Sequence, residues 1–169
     1  MAAFVPISGP VVADTAYCNS KRVARDVSIS LPEVAPMTAD VQAMGTMSIP
    51  VWQLIENMET TITKIGVDEG LRDLIRPEKN TLEFRWVQTV TDAAGVTKEV
   101  GCKAFVTGVP NKIPGISLEI GSASESEVTY MTTRYALYVD GKEVLLVDRL
   151  SGILRVNGKD YAKNLNSLL

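Results

Sequence analysis

The sequence predicts a mainly β protein: a small β-barrel or β-sandwich with one short flanking α-helix and a long extended loop. Seven or eight short segments alternate in polarity or are rich in β-branched and aromatic residues, as strands are. The dipeptides Asp140-Gly141 and Asn157-Gly158 are strong hairpin turn signals. One segment carries helix caps and helical spacing. The length of 169 residues suits one domain, residues 1–169.

The composition excludes several classes of protein. Hydrophobic residues make up 46% and charged residues 22% of the chain, so it can bury an ordinary core without staples. The net charge is −3, and there is no basic stripe of the kind that grips nucleic acid. The sequence starts without the positive charge of a signal peptide, and no run reaches the roughly 18 apolar residues of a membrane span. We therefore expect synthesis in the cytoplasm and no stable membrane insertion.

Residues 1–25 are expected to form an N-terminal arm or an irregular lead-in. Lys21-Arg22 and Arg25 make a small basic cluster there, which is either part of a solvated loop or an ionic contact to a neighbouring subunit. Strand structure is predicted to begin with Asp26–Val34, where apolar residues alternate with serines. Pro32 ends that strand or places it at an edge.

Residues 35–50 form the predicted extended loop. The segment has little charge and no clear period, and three of the six methionines of the chain lie between Met37 and Met47. It is either a long loop, or an extended arm or hairpin whose methionines insert into a partner. Methionine side chains are flexible and polarisable, which suits surfaces that adapt to one another.

The middle of the chain combines a strand with the one predicted helix. From Glu56 to Val67, Thr and Ile residues alternate as in a strand, which Gly66 closes. The helix is predicted over Asp68–Ile75, because Asp68 can cap its N-terminus, its apolar residues share one face and Pro77 stops it. A helix of about two turns needs packing on the sheet to be stable.

A second strand pair and a loop region follow. Leu82–Val90 and Thr97–Val109 are predicted to form a hairpin across a short turn. A loop at residues 110–115 precedes a short predicted strand, Ser117–Ile120. The small and polar residues of 121–127 suit a turn or an exposed rim.

The C-terminal third carries the clearest pattern. Val128–Val139 and Glu143–Val147 flank Asp140-Gly141 as the two strands of a hairpin. Leu150–Val156 is either a last strand or one helical turn followed by a strand. Residues 161–169 have the spacing of a short amphipathic tail.

Most catalytic sites cannot be built from this chain. It has no histidine, which removes His-based triads and His-ligated metal sites, and no phosphate-binding glycine motif. Cys18 and Cys102 lack zinc spacing and read as buried thiols, although a disulfide between them is compatible with the sequence. Asp140, Glu143 and Asp148 lie near one hairpin, but turn and surface roles explain them better than a glycosidase pair. We therefore expect no enzyme, no cofactor and no metal site.

The C-terminal third also resembles one family, the major tail tube proteins of contractile phage tails. The resemblance is specific over Tyr135–Asp160: a Tyr-containing strand, Asp-Gly-Lys-Glu, an apolar run ending in Asp, a short apolar segment, then Val-Asn-Gly-x-Asp. Val27–Pro32, Met44–Pro50 and Leu82–Arg85 support it. The stretch Trp86-Val87-Gln88 departs from the family, whose members more often continue with small or polar residues.

This resemblance implies a structural protein without an enzymatic step. In the family, six subunits form a ring, adjacent sheets join into an inner lining, and rings stack into a tube inside a contractile sheath. Contraction drives the tube through the target envelope, and in a phage DNA passes down the lumen without specific binding. The implied partners are further copies, the tail sheath protein, baseplate or initiator proteins and a tail terminator. The implied location is the tail of a virion or of a phage-tail-like particle such as a bacteriocin, assembled in the bacterial host cytoplasm.

The family has a similar Gly- and Met-rich loop at residues 35–50, packed against neighbouring subunits and rings. We therefore expect Met44, Gly45, Met47, Ile49 and Pro50 at the subunit or ring interface, with Met44, Met47 and Ile49 buried on polymerisation. The alternative function is a small ligand-binding β-barrel, which would be a stable monomer with a cavity. A hydrolase with an unfamiliar site is a third reading, and the lack of histidine argues against it.

Overall fold

The computed structural model describes residues 5–169, and antiparallel strands dominate that part of the chain. Within it the elements are β1 (Ile7–Cys18), β2 (Lys21–Arg25), β3 (Ser28–Ser30), β4 (Pro36–Gln42), β5 (Thr46–Ile55), β6 (Met58–Ile65), α1 (Glu69–Leu74), β7 (Asn80–Thr91), β8 (Thr97–Pro110), β9 (Glu125–Val139), β10 (Lys142–Asp148), β11 (Ile153–Val156), β12 (Lys159–Asp160) and α2 (Lys163–Leu168). The prediction of a mainly β fold is confirmed.

Most strands join one antiparallel sheet in the order β12-β11-β10-β9-β8-β7-β1-β2. Strand β9 belongs to two layers, because residues 125–132 pair with β6 and residues 134–139 pair with β10. Strand β3 extends the second layer by pairing with β6. The hydrogen-bonded path through the described strands does not close on itself, so the fold is a bent sandwich in which one strand passes between layers.

The core lies between the two layers, and the longer strands of the main sheet contribute alternate residues to it. On β6, Met58, Thr60, Ile62 and Lys64 are buried, as their alternation predicts. The larger of the two buried clusters lies here, and fully burying one of its large apolar side chains contributes about 1.5–3 kcal/mol. Its buried members are Ala16, Cys18, Val23, Ala24, Ile62, Leu71, Leu74, Leu82, Phe84, Ala104, Val106, Val128, Tyr130 and Tyr135.

Helix α1 covers part of this core, and its bounds agree with the predicted helix. Asp68 Oδ1 accepts a 3.0 Å hydrogen bond from the Leu71 N–H, which caps the helix. The nearly buried Lys64 ammonium lies 3.0 Å from Asp68 Oδ2. At the C-terminal end, the Tyr130 hydroxyl donates to the carbonyl of Leu74. Leu71 and Leu74 are buried, so packing on the sheet stabilises this short helix.

Both predicted hairpin turns are confirmed. Asp140 and Gly141, with φ of 49° and 74°, join β9 to β10. Asn157 and Gly158, with φ of 50° and 83°, join β11 to β12. Positive φ at both central residues defines the type I′ turn, whose twist matches that of the flanking strands.

Strands β1 and β2 replace the predicted N-terminal arm. The prediction of an arm or irregular lead-in is wrong for residues 7–25, which pair with β7 and with each other; residues 1–4 lie outside the described residues. Strand β1 forms its backbone hydrogen bonds with the edge of β7. Register shifts around Gly9 and Pro10 interrupt the alternation of polarity that would have identified it as a strand. The basic cluster is partly paired, since Lys21 Nζ lies 3.2 Å from an oxygen of Asp73.

Two other predicted strands differ in the structure. The strand predicted over Asp26–Val34 is limited to Ser28–Ser30, the stretch that pairs with β6. Ser117–Ile120 was predicted to be a short strand, but it is irregular and has no strand partner among the described residues. The C-terminal tail forms α2, in which no residue is fully buried, although the preceding Ala162 is.

Candidate assembly interface

Strands β4 and β5 form a hairpin that stands apart from the main sheet as a two-stranded sheet. Its register pairs Ala39 with Ile49 and Val41 with Met47. Directly paired residues of antiparallel strands lie on the same face. The register therefore gathers one apolar set, which we call the apolar face of the hairpin: Met37, Ala39, Val41, Met47, Ile49 and Val51.

The opposite face of the hairpin is polar. Thr38, Asp40 and Gln42 of β4 lie there with Thr46, Ser48 and Pro50 of β5. The Ser48 hydroxyl donates to Asp40 Oδ1, and Gln42 Nε2 donates to Thr46 Oγ1 over 3.1 Å. These exposed polar groups form hydrogen bonds with one another. The polar face is therefore stable in contact with water, whereas the apolar face is not.

The apolar face has no cover within the described part of the chain. Met47 is 49% exposed, and Met37, Val41 and Ile49 are exposed to a similar degree. An isolated two-stranded hairpin is marginally stable in water and needs a third strand or a packing surface. An exposed contiguous apolar patch on a soluble domain marks an interaction site. The hairpin is therefore the strongest candidate interface of this protein.

The tip of the hairpin presents Met44 to solvent. Met44 has φ 53° and Gly45 has φ 128°, and only glycine adopts the latter value readily. Ala43 N–H donates to the Gly45 carbonyl over 2.8 Å, which keeps the turn tight. Met44 is fully exposed as a result, at the point of the hairpin farthest from its base.

The base of the hairpin is anchored to the body of the subunit. Glu56 N–H donates to the Ala35 carbonyl over 2.9 Å. Ile55 and Val34 pack against a second buried cluster of Met58, Val147, Leu154 and Ala162. A groove of about 250 Å³ separates the base from the C-terminal elements and is lined in part by Trp52, Leu54 and Leu165. The hairpin is thus fixed at one end and uncovered at the other.

The structure places four of the five predicted interface residues together. Met44 and Gly45 form the tip, and Met47 and Ile49 lie on the apolar face, whereas Pro50 lies on the polar face. Their burial on polymerisation stays a prediction. Sequence reasoning missed the other members of the apolar face, although residues 37–41 and 47–51 both show a period-two alternation that would have identified them.

Strand β1 offers a second kind of contact surface, an unpaired strand edge. On one side it pairs with β7 from Ile7 onward, but on the other it pairs with β2 only from Thr15. Val11 and Val12 are exposed beside the free part of this edge. Unpaired edges invite strand addition by another chain, so proteins that leave them open generally cover them on assembly.

The side of the main sheet that faces away from the core carries both ion pairs and aromatic rings. Arg155 Nη1 lies 3.2 Å from Glu143 Oε1, and Arg85 pairs with Glu83. The rings of Phe105 and Tyr138 meet edge to face, with centroids 5.7 Å apart. Grooves of about 520 Å³ and 720 Å³ lie on either side of this pair.

The carboxylates near the C-terminal hairpin and the two thiols have structural roles. Glu143 is ion-paired, and Asp148 Oδ1 accepts hydrogen bonds from the N–H groups of Leu150 and Ser151. Cys18 and Cys102 are buried and unbridged, as expected, and burial raises the pKa of each thiol, which lowers its reactivity. In residues 5–169 no three His, Cys, Asp or Glu side chains are grouped so that they could hold a metal ion.

These features define a class of protein, a subunit with surfaces for assembly: a bent β-sandwich with an uncovered amphipathic hairpin and an open strand edge. Comparison with known proteins gives the family. Residues 12–169 match the family of the phage tail tube protein FII, and the chain belongs to it. That family is structural and not enzymatic, so this chain is a tail tube subunit.

Two solved structures have a similar fold. A chain of the sheath–tube complex of an extracellular contractile injection system (PVC, extended state) shares 17% identity, with 77% of this chain and 90% of that chain covered and a TM-score of 0.55. A chain from the sheath/tube terminator of the same system shares 19% identity, with 81% and 99% covered and a TM-score of 0.53. No curated protein matches the chain. The described residues include no helix that is long and apolar enough to span a membrane.

Proposed function

We propose that six copies of this chain close into a ring and that the rings stack into the hollow inner tube of a contractile injection machine. The single observation that carries this proposal is the amphipathic hairpin. Its apolar face belongs to a regular two-stranded sheet that is supported at its base, yet this face is about half exposed in the isolated subunit. A tail tube subunit that meets another copy through this face would bury it.

The free edge of β1 supports contact between neighbours within a ring. Ring closure covers strand edges that would otherwise pair without control. Strand addition at this edge would join the sheets of adjacent subunits into a continuous wall. One surface of that wall would consist of the sheet sides that face away from the subunit cores. That side of each sheet carries two ion pairs, and the net charge of the chain is −3, which favours sliding of DNA over binding.

The proposed partners follow from the family and from the fold neighbours. The neighbours come from a sheath–tube complex and a sheath/tube terminator, which supports a sheath protein and a terminator as partners here. A baseplate or initiator would start the stack. The tube would be assembled in the bacterial cytoplasm, enclosed by sheath and driven through a target envelope on contraction. In a virion it would then conduct the genome. The family match sets aside a ligand-binding β-barrel as the alternative function.

Electron microscopy of the purified protein at rising concentration tests this proposal. We expect hollow rings or stacked tubes of one regular diameter. Met47→Asp, which places a charge on the apolar face, should leave the subunit folded and abolish them. The matched control is Thr46→Asp, one residue away on the polar face, which should assemble normally. Tubes grown equally well by both variants would show that the hairpin is not the interface.

A further inference from the structure

A long loop between β8 and β9 exposes large apolar side chains. Residues 111–124 form no helix or strand. Leu118 is 81% exposed and Ile120 fully so, and Ile113 and Ile116 are exposed as well. Loops of this length without secondary structure are uncommon in compact domains and are usually functional. Exposed isoleucine and leucine in such number require a surface to cover them.

The exposed residues alternate as they would in a strand. Ile116, Leu118 and Ile120 share one parity, and Ser117 and Glu119 the other. Both ends of the loop are fixed by backbone hydrogen bonds, from Asn111 N–H to the Thr129 carbonyl and from Gly66 N–H to the Ser124 carbonyl. Between them, residues 112–118 form no backbone hydrogen bond within the described structure. The segment has the pattern of a strand and lacks a partner strand.

The hairpin, in turn, has strand edges without a partner strand. Strands β4 and β5 pair only with each other among the described strands, so each has a free outer edge. The two edges differ, because Pro50 lies within β5 and has no N–H to donate. A proline fits a ladder when its nitrogen faces away from the partner strand, so the missing donor lies on the outer edge of β5. The outer edge of β4, Met37–Gln42, carries its full set of donors.

The loop and the hairpin lie at opposite ends of β6. The hairpin joins the start of β6 through residues 56–57. The loop is fixed beside the end of β6, where Ile65 pairs with Glu125. Eight residues of strand separate these points by about 23 Å. Two different complementary surfaces on one subunit make a heterologous contact, which gives open head-to-tail growth when the rotation between copies does not close.

We propose that residues 116–120 of one copy add as a third strand to the outer edge of β4 in the next copy of the stack. This places Ile116, Leu118 and Ile120 beside the apolar face of that hairpin and converts a two-stranded sheet into a three-stranded one. The proposal rests on the proposed tube function and names the segment of the neighbouring copy that pairs with the edge of the hairpin. It also accounts for the irregular form of 116–120 in the single chain, since the partner strand belongs to another molecule.

Photo-crosslinking tests this pairing directly. A p-benzoylphenylalanine replaces Leu118 in the full chain, and isotope-labelled and unlabelled copies are mixed before assembly. We expect mass spectrometry to find crosslinks between position 118 of one copy and residues 36–55 of another. The same probe at Val96, which is exposed at the far turn between β7 and β8, should not reach that segment. If tubes form but position 118 crosslinks to other regions, the proposed pairing is wrong while the proposed tube function stands.

A substitution pair gives an independent readout. Leu118→Asp should raise the protein concentration needed for tube growth by about tenfold or more, a shift of about 1.4 kcal/mol. Ser117→Asp, on the opposite parity, should change it little. Equal behaviour of the two variants contradicts the pairing. If the unmodified protein forms no ring or tube at any concentration even with its initiator present, the proposed function fails with it, which distinguishes the two outcomes.

Discussion

Substitution of Met47 tests the hairpin interface quantitatively. Met47 is 49% exposed, so about half of its side chain remains to be buried when a second copy covers the apolar face. Full burial of a methionine is worth about 1.5–3 kcal/mol, and the remaining half therefore about 1 kcal/mol. Met47→Ala should raise the critical concentration for assembly about fivefold.

Met47→Asp adds a second cost to the loss of apolar contact. A carboxylate enclosed without a partner costs at least about 2 kcal/mol more, which brings the total to about 3 kcal/mol and the critical concentration to about a hundredfold above the starting value. Sedimentation of assembled material over a dilution series measures this quantity, and circular dichroism checks that each variant is folded. The reasoning is refuted if folded Met47→Asp protein assembles within about threefold of the unmodified concentration.

Three further predictions concern the loop, the helix and the core. Glu119→Lys should lower the critical concentration at low salt, because Glu119 would join Asp40 on the polar face of the three-stranded sheet and an opposite-charge pair there is worth about 0.2–1 kcal/mol; an unchanged or raised value would count against that arrangement. Burial raises the Asp68 pKa, but the Leu71 N–H and Lys64 outweigh it and lower the pKa overall, so this carboxylate stabilises the fold above about pH 4 and the contribution is lost as the pH falls through its lowered value. Asp68→Asn should therefore flatten the decline of Tm on acidification, and an unaltered decline would contradict this. Phe84→Ala removes a fully buried ring and should lower the free energy of unfolding in urea by about 3–5 kcal/mol, where a loss below about 1 kcal/mol would show the site to be loosely packed.

Local signals in the sequence predicted the elements whose structure is determined locally. The turn at Asp140-Gly141 requires residues that tolerate positive φ, and the sequence supplies them. The cap at Asp68 fixes the start of α1. On β6, one face is buried against the core, so polarity alternates along the strand and reveals it.

The segments that sequence reasoning missed depend on distant partners. Strand β1 is exposed on both faces over most of its length, so it has no alternating pattern, and only the edge of β7 makes it a strand. The segment 117–120 shows the opposite case: its alternation predicts a strand, but no edge within the described chain is placed to pair with it. The apolar face of the hairpin combines two separate stretches, and only the register joins them.

Pro50 limits the ways in which the exposed hairpin can pair with other hairpins. Exposed hairpins with an apolar face are hazardous at high local concentration, because a free edge on each side allows them to pair into ribbons of unlimited width. With a proline on β5, the hairpin can accept a strand on one side and resists it on the other. In the proposed assembly, a copy could therefore add a strand at the β4 edge, while sideways ribbon growth through the β5 edge is disfavoured.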